Sequence, residues 1–94
     1  MNLSARQLKA FLLLVEEQHF TRAARRCHLT QPAFSAVIQS LEEALGVRLF
    51  DRSTRRVELT HEGRHFLRSA PRLLNDIEAL VGEMRELVSK RRGY

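Results

Sequence analysis

The stretch Phe20 to Leu41, FTRAARRCHLTQPAFSAVIQSL, restricts the fold more than any other part of the chain. It reads as two short helices around a tight corner. Ala23 and Ala24 are small and let a neighbouring helix approach closely. Leu29-Thr30-Gln31-Pro32 forms the corner: Thr30 offers a cap, Pro32 suits a first helical turn, and Leu29 with Phe34 has the spacing of a hydrophobic staple. Phe34, Ile38, Leu41 and Leu45 share one side of a 3.6-residue wheel, while Pro32, Ser35, Ala36, Gln39 and Glu43 share the other. Gly46 supplies the stop. A helical hairpin in an ordinary bundle would show the same periodicity, so the flanking segments have to decide.

Those segments are specific. Ser4 and Gln7 have capping-box spacing, Leu3 and Leu8 staple spacing, and Leu8, Phe11, Leu12 and Val15 recur on one face of a first helix. The polar run Glu16 to His19 ends that helix, and Thr21 is the expected cap of the next. Cys27 falls one turn after Ala24 and reads as a small core residue. After Gly46 the period changes: Val47–Phe50 and Arg56–Leu59 read as two short strands around a turn at Asp51–Arg55. Arg48, Arg52, Arg55 and Arg56 make this hairpin the most basic part of the chain. Thr60 caps a last helix running to about Arg92, with Ser89 to Tyr94 expected to fray. Phe66, Ala70, Leu73, Ile77, Leu80, Met84 and Leu87 keep a heptad seam suited to a dimer interface, and Leu67, Leu74, Val81 and Val88 add a second stripe. Pro71 removes one helical hydrogen bond and predicts a kink or break near Ser69–Ala70. The expected fold is mainly α: a winged helix-turn-helix over residues 3–60 (helix-turn-helix about 20–39, wing about 47–59), then a long dimerisation linker helix over 61–92.

A chain of 94 residues supports one small domain. Its 16 Lys+Arg against 11 Asp+Glu favour an anionic partner: nucleic acid, acidic lipid or acidic protein. One Cys forbids an internal disulfide and fits a reducing, cytoplasmic setting. Arg6 and Lys9 interrupt any signal-peptide pattern, and the longest apolar run, Ala10 to Val15, is too short to span a bilayer. His61-Glu62-Gly63-Arg64-His65 matches the H-E-x-x-H zinc signature. A zinc site needs a third ligand and an open cleft, however, and Glu78 and Glu83 lie further along the same helix. The two His are expected to lie exposed near phosphates or a partner subunit. No phosphate-cradling glycine loop and no Ser/His/Asp set is present, so neither enzyme chemistry, metal nor cofactor is expected.

Short side chains at a helix start allow entry into the major groove of DNA. Gln31 and Gln39 can pair with adenine, Ser35 can reach a phosphate or base, and Ala33 or Ala36 can touch a thymine methyl. The wing arginines suit backbone or minor-groove contact. Arg22, Arg25 and Arg26 suit either phosphate contact or a solvated face. The alternative reading is a small helical module that dimerises through its last helix and binds acidic protein.

FTRAARRCHLTQPAFS followed by IQSLEEALGVRLFDRSTRRVELTHEG resembles the N-terminal domain of LysR-type transcriptional regulators, over essentially the whole chain. That resemblance implies a winged helix-turn-helix with a dimerising linker helix, and a homodimer on double-stranded operator DNA. It implies that Gln31, Pro32, Ala33 and Ser35 enter the major groove, that Thr21 and Thr30 grip phosphates, and that Arg52, Ser53, Thr54, Arg55 and Arg56 lie near the minor groove. Ala36 and Val37 stand where many members carry Arg and Gln, which shifts readout towards methyl contact and DNA shape. Cys27 replaces a common Leu, and Pro71 is unusual in the linker. Members usually continue into a small-molecule-sensing domain and are often tetramers; this chain looks like the DNA-binding portion. A bacterial cytoplasm, with the nucleoid as partner, is the implied location.

Overall fold

The computed structural model describes residues 2–53 and 55–92. Its elements follow the order α1 (Ala5–Glu17), α2 (Phe20–Arg26), α3 (Gln31–Leu45), β1 (Phe50–Asp51), β2 (Glu58–Leu59) and α4 (His61–Arg92). Three helices form a body, a two-stranded hairpin forms the wing, and a long helix leaves the body.

Each helix start has a local cause. Ser4 and Gln7 close the capping box: the Gln7 N–H donates to Ser4 Oγ at 3.2 Å and the Ser4 N–H to Gln7 Oε1 at 2.9 Å. The α1 helix ends where Gln18 turns left-handed (φ 55°) and its N–H returns to the Leu14 carbonyl. The second cap differs from expectation. Helix α2 already begins at Phe20, so its cap is His19, whose Nδ1 accepts the Arg22 N–H at 3.3 Å. Thr21 lies inside the first turn, exposed. The corner closes through His28, at φ 58°, while the Leu29 N–H donates to the Ala24 carbonyl at 3.0 Å. Thr30 caps α3 by accepting the Ala33 N–H at 3.2 Å, and Gly46 ends it at φ 73°.

Phe11, Leu8, Leu14, Phe34, Ile38, Leu41, Leu49 and Phe50 are all under 2 % exposed. Burying each such side chain stabilises the fold by roughly 1.5–3 kcal/mol. Phe11 joins three elements: its ring lies 5.3 Å from Phe50 and 4.9 Å, edge-on, from Phe66. The core therefore continues past Thr60 into α4, where Ala70 is 1 % exposed and Phe66, Leu67, Leu74 and Ile77 pack against it. This corrects part of the expected dimer seam. Ala70 has no surface to give a second protein, and Phe66 serves its own domain. Leu73, Leu80, Met84 and Leu87 remain exposed.

The wing strands are shorter than the sequence suggests. Phe50 pairs with Leu59 and Asp51 with Glu58, antiparallel, and before Phe50 the pairing is reduced to one backbone bond, from the Thr60 N–H to the Leu49 carbonyl. The reason is competition for the backbone. The Leu49 and Phe50 N–H groups donate to the Glu42 carboxylate and the Arg48 carbonyl accepts the Thr60 hydroxyl at 2.7 Å, so only the Leu49 carbonyl, accepting the Thr60 N–H at 3.0 Å, still bonds across to the other arm. The return arm is held by the Val57 N–H donating to the Gln18 carbonyl at 3.2 Å.

Thr60 also caps α4 by accepting the Gly63 N–H at 3.0 Å. Contrary to the expected break, α4 runs unbroken through Pro71, which is exposed. Within the tail, Ser89 to Arg92 continue the helix. Gly93 and Tyr94 lie outside the described residues.

Candidate nucleic-acid interface

The start of α3 projects from the body. Gln31, Pro32, Ala36 and Gln39 are exposed, and Ala33 and Ser35 are half-buried. The opposite face of the same helix is locked into the core through Phe34, Ile38 and Leu41, which fixes the direction of the tip. The Gln7 amide braces the far end by donating to Ser40 Oγ at 3.0 Å. Gln31 and Ser35 stand one turn apart, and Gln31 Nε2 donates to Ser35 Oγ at 3.2 Å. The two side chains thus hold each other on the outer face with further donors and acceptors to spare. The Thr30 hydroxyl oxygen accepts the cap bond, which leaves its O–H as a donor for an outside acceptor. Exposed N–H groups of the first turn add a partial positive charge.

The wing carries Arg52, Ser53, Arg55 and Arg56, all exposed as residues; Thr54 lies outside the described residues. Asp51 shapes its turn. The Ser53 N–H and hydroxyl donate to Asp51 Oδ1 at 2.9 and 2.6 Å, and these bonds hold the carboxyl below the usual carboxylate range. Ser35, Gln39, Glu42 and Glu43 on α3, Arg48 and Arg52 at the wing base, and Phe20 line one open groove. The outer face of α3 beyond its first turn and the base of the wing therefore border the same groove.

The arginines divide by partner. Arg26 Nη1 pairs with Glu17 at 3.1 Å and Glu16 at 3.5 Å, and Arg22 Nε lies 3.5 Å from Glu17. Those two brace α2 against the end of α1, whereas Arg25 is exposed with no ion pair among the described residues. Arg52 is not a simple solvent-facing cation: it pairs with Glu42 at 3.0 Å, and its side chain is 33 % exposed. His61 and His65 are exposed in the first turns of α4, and no group of three potential metal ligands occurs among the described residues.

Glu42 is the residue that sequence reasoning passed over. A signal existed. It lies four residues after Ile38 and three before Leu45, on the apolar face of α3, where an acidic residue needs donors. Arg48 was noted for charge but not placed at the groove.

Three helices, a hairpin and a long terminal helix, with an exposed third-helix tip beside a basic wing, define the winged helix-turn-helix class of transcription regulators. The sequence agrees: the family described as "Bacterial regulatory helix-turn-helix protein, lysR family" matches residues 5–64. The chain belongs to that family, a family of regulators and not of enzymes. It is 49 % identical over 82 residues to the SDS degradation transcriptional activation protein of a Pseudomonas species, covering 87 % of this chain and 27 % of that protein. It is 40 % identical over 84 residues to the regulator BenM of Acinetobacter baylyi, covering 89 % of this chain and 28 % of that one. The chain thus spans under a third of the length of these relatives. Among solved structures it is similar to Vibrio fischeri DarR in complex with DNA (TM-score 0.90, 38 % identity, 95 % of this chain and 30 % of that). It is also similar to the BenM DBD complex with catB site 1 DNA (TM-score 0.80, 39 % identity, 93 % of this chain and 97 % of that).

Proposed function

We propose that this chain binds promoter operator DNA as a dimer and regulates transcription. The α3 tip enters the major groove through Gln31, Pro32, Ala33, Ser35, Ala36 and Gln39. Thr21 and Thr30 grip phosphates, and the wing (Arg52 to Arg56) lies near the minor groove. One observation carries the reading: Ser35 and Gln39 on the outer face of α3 and Arg48 and Arg52 of the hairpin border one groove. The DNA complexes of DarR and the BenM DBD, similar over nearly all of this chain, support it. Residues 3–60 act as the DNA-binding unit and 61–92 as the linker. The exposed part of the α4 seam, Leu73, Leu80, Met84 and Leu87, meets a second copy and sets the half-site spacing. No helix among the described residues is long and apolar enough to cross a membrane. The place of action in this reading is the bacterial cytoplasm, at the nucleoid, with no cofactor.

Fluorescence anisotropy tests it, using duplexes selected from a random pool against scrambled ones. The wild-type chain should prefer the selected duplex, with affinity falling steeply as salt rises. Gln31→Ala should shrink that preference by about tenfold, the weight of one base contact. Arg55→Ala should weaken both duplexes alike and reduce the salt slope by about 0.9. Equal binding of both duplexes by the wild type, or no retention on DNA at moderate salt, sinks the reading and leaves the acidic-protein module.

A further inference from the structure

We infer that the Glu42–Arg52 pair is a positioning device that sets the wing against the recognition helix. Arg52 then aids DNA binding by placing the wing, not by neutralising a phosphate. This deepens the DNA-binding reading and rests on it.

Glu42 is 6 % exposed. A carboxylate keeps such a place only when donors surround it. Here Oε2 accepts the Leu49 N–H at 2.7 Å and the Phe50 N–H at 3.2 Å, while Oε1 accepts from Arg52 Nη2 at 3.0 Å. One α3 side chain thereby fixes both the backbone entering the wing and the first arginine of its turn. On its other side the Arg52 guanidinium lies 5.2 Å from the centroid of Phe20, within cation–π reach. Phe20 in turn meets Phe34 edge-on at 6.0 Å. Arg52 is therefore gripped by α3 and α2 together. Its charge is balanced by Glu42, so it has little counterion to release when a phosphate approaches. Arg55 differs, having no carboxylate partner among the described residues.

The two roles separate in a salt titration of the full chain between about 50 and 200 mM. The probes are the selected and scrambled duplexes. Arg55→Ala is the phosphate-contact reference, with a slope reduced by about 0.9. Arg52→Ala should lose about tenfold in affinity for the selected duplex with its slope unchanged, the weight of one charge-assisted hydrogen bond. Glu42→Gln removes a negative charge and leaves Arg52 unbalanced, so electrostatics alone predicts tighter binding. Positioning predicts weaker binding and a smaller ratio of selected to scrambled affinity. Without DNA, amide hydrogen exchange at Leu49 and Phe50 should quicken in Glu42→Gln and Arg52→Ala but not in Arg55→Ala. A slope loss in Arg52→Ala equal to that of Arg55→Ala overturns the inference. So does tighter binding by Glu42→Gln with the ratio intact, or unchanged amide exchange. If circular dichroism shows Glu42→Gln unfolded, Arg52→Lys takes over, because it keeps the charge but not the planar fork. A lowered ratio at constant slope then supports the inference, and wild-type behaviour refutes it. Should the wild type itself ignore DNA, the functional reading falls, while the exchange data still decide whether the pair holds the wing.

Discussion

A methyl group at position 63 would collide with the Leu49 carbonyl oxygen and come within 2.9 Å of Leu59 Cδ2. The first obstacle is backbone, so it cannot swing aside. Gly63→Ala should cost about 1–3 kcal/mol, the usual penalty of overpacking, and lower the thermal midpoint. Gly82 is the control: nothing lies within 4 Å of its added Cβ. Gly82→Ala should raise stability by about 0.8–1.0 kcal/mol through helix propensity alone. A fall at Gly82 or a rise at Gly63 would contradict this packing account. Cys27 offers a second residue-level test. Burial pushes its thiol up, against the smaller opposing pull of Arg26 and Arg6. Alkylation by iodoacetamide should be slow at neutral pH, with a pH midpoint above that of the same thiol in the denatured chain. A midpoint below it would contradict the burial.

Among the elements, those decided by their own sequence were readable in advance. As helix caps, Ser4 with Gln7, Thr30, Gly46 and Thr60 each act through neighbours within four residues, and the structure uses each as the spacing implies. Elements decided by distant partners were not. The strand of the wing is cut short because Glu42, seven residues earlier, takes the Leu49 N–H. Phe66 and Ala70 carry a heptad pattern that suits a partner helix equally well, and only the placement of Phe11 shows that they belong to the domain itself. Pro71 follows the same logic: its local rule predicts interruption, yet α4 is anchored on the body through Ala70, Leu74 and Ile77 on both sides of it. For the interface, the short-chained tip was legible from residue types. The inward turn of Arg52 was hidden, because an arginine in a basic turn looks the same whether or not a carboxylate waits beneath it.

At the scale of the molecule, the protein measures 58 × 26 × 21 Å, and the 32 residues of α4 account for most of that length. Beyond Ile77 the helix touches little, leaving Leu80, Val81, Met84, Leu87 and Val88 between 41 % and 58 % exposed. An apolar stripe of this kind calls for a second helix. Leu80→Asp should therefore give monomers on a sizing column while circular dichroism stays unchanged, since Leu80 supports nothing in its own domain. A dimer of wild-type size would move the contact elsewhere. Ile77→Asp is a poorer probe, because Ile77 packs against the core and its loss would disturb the fold itself.

The backbone of Arg48 to Phe50 is bonded on one side to Glu42 and on the other to Thr60. The helix that would read bases and the helix that would meet a twin are thus riveted to the same three residues, with no slack linker between them. Two operators differing by one base pair in the gap between their halves would then present a stiff caliper with a misfit, and the duplex would have to bend or twist to suit the protein.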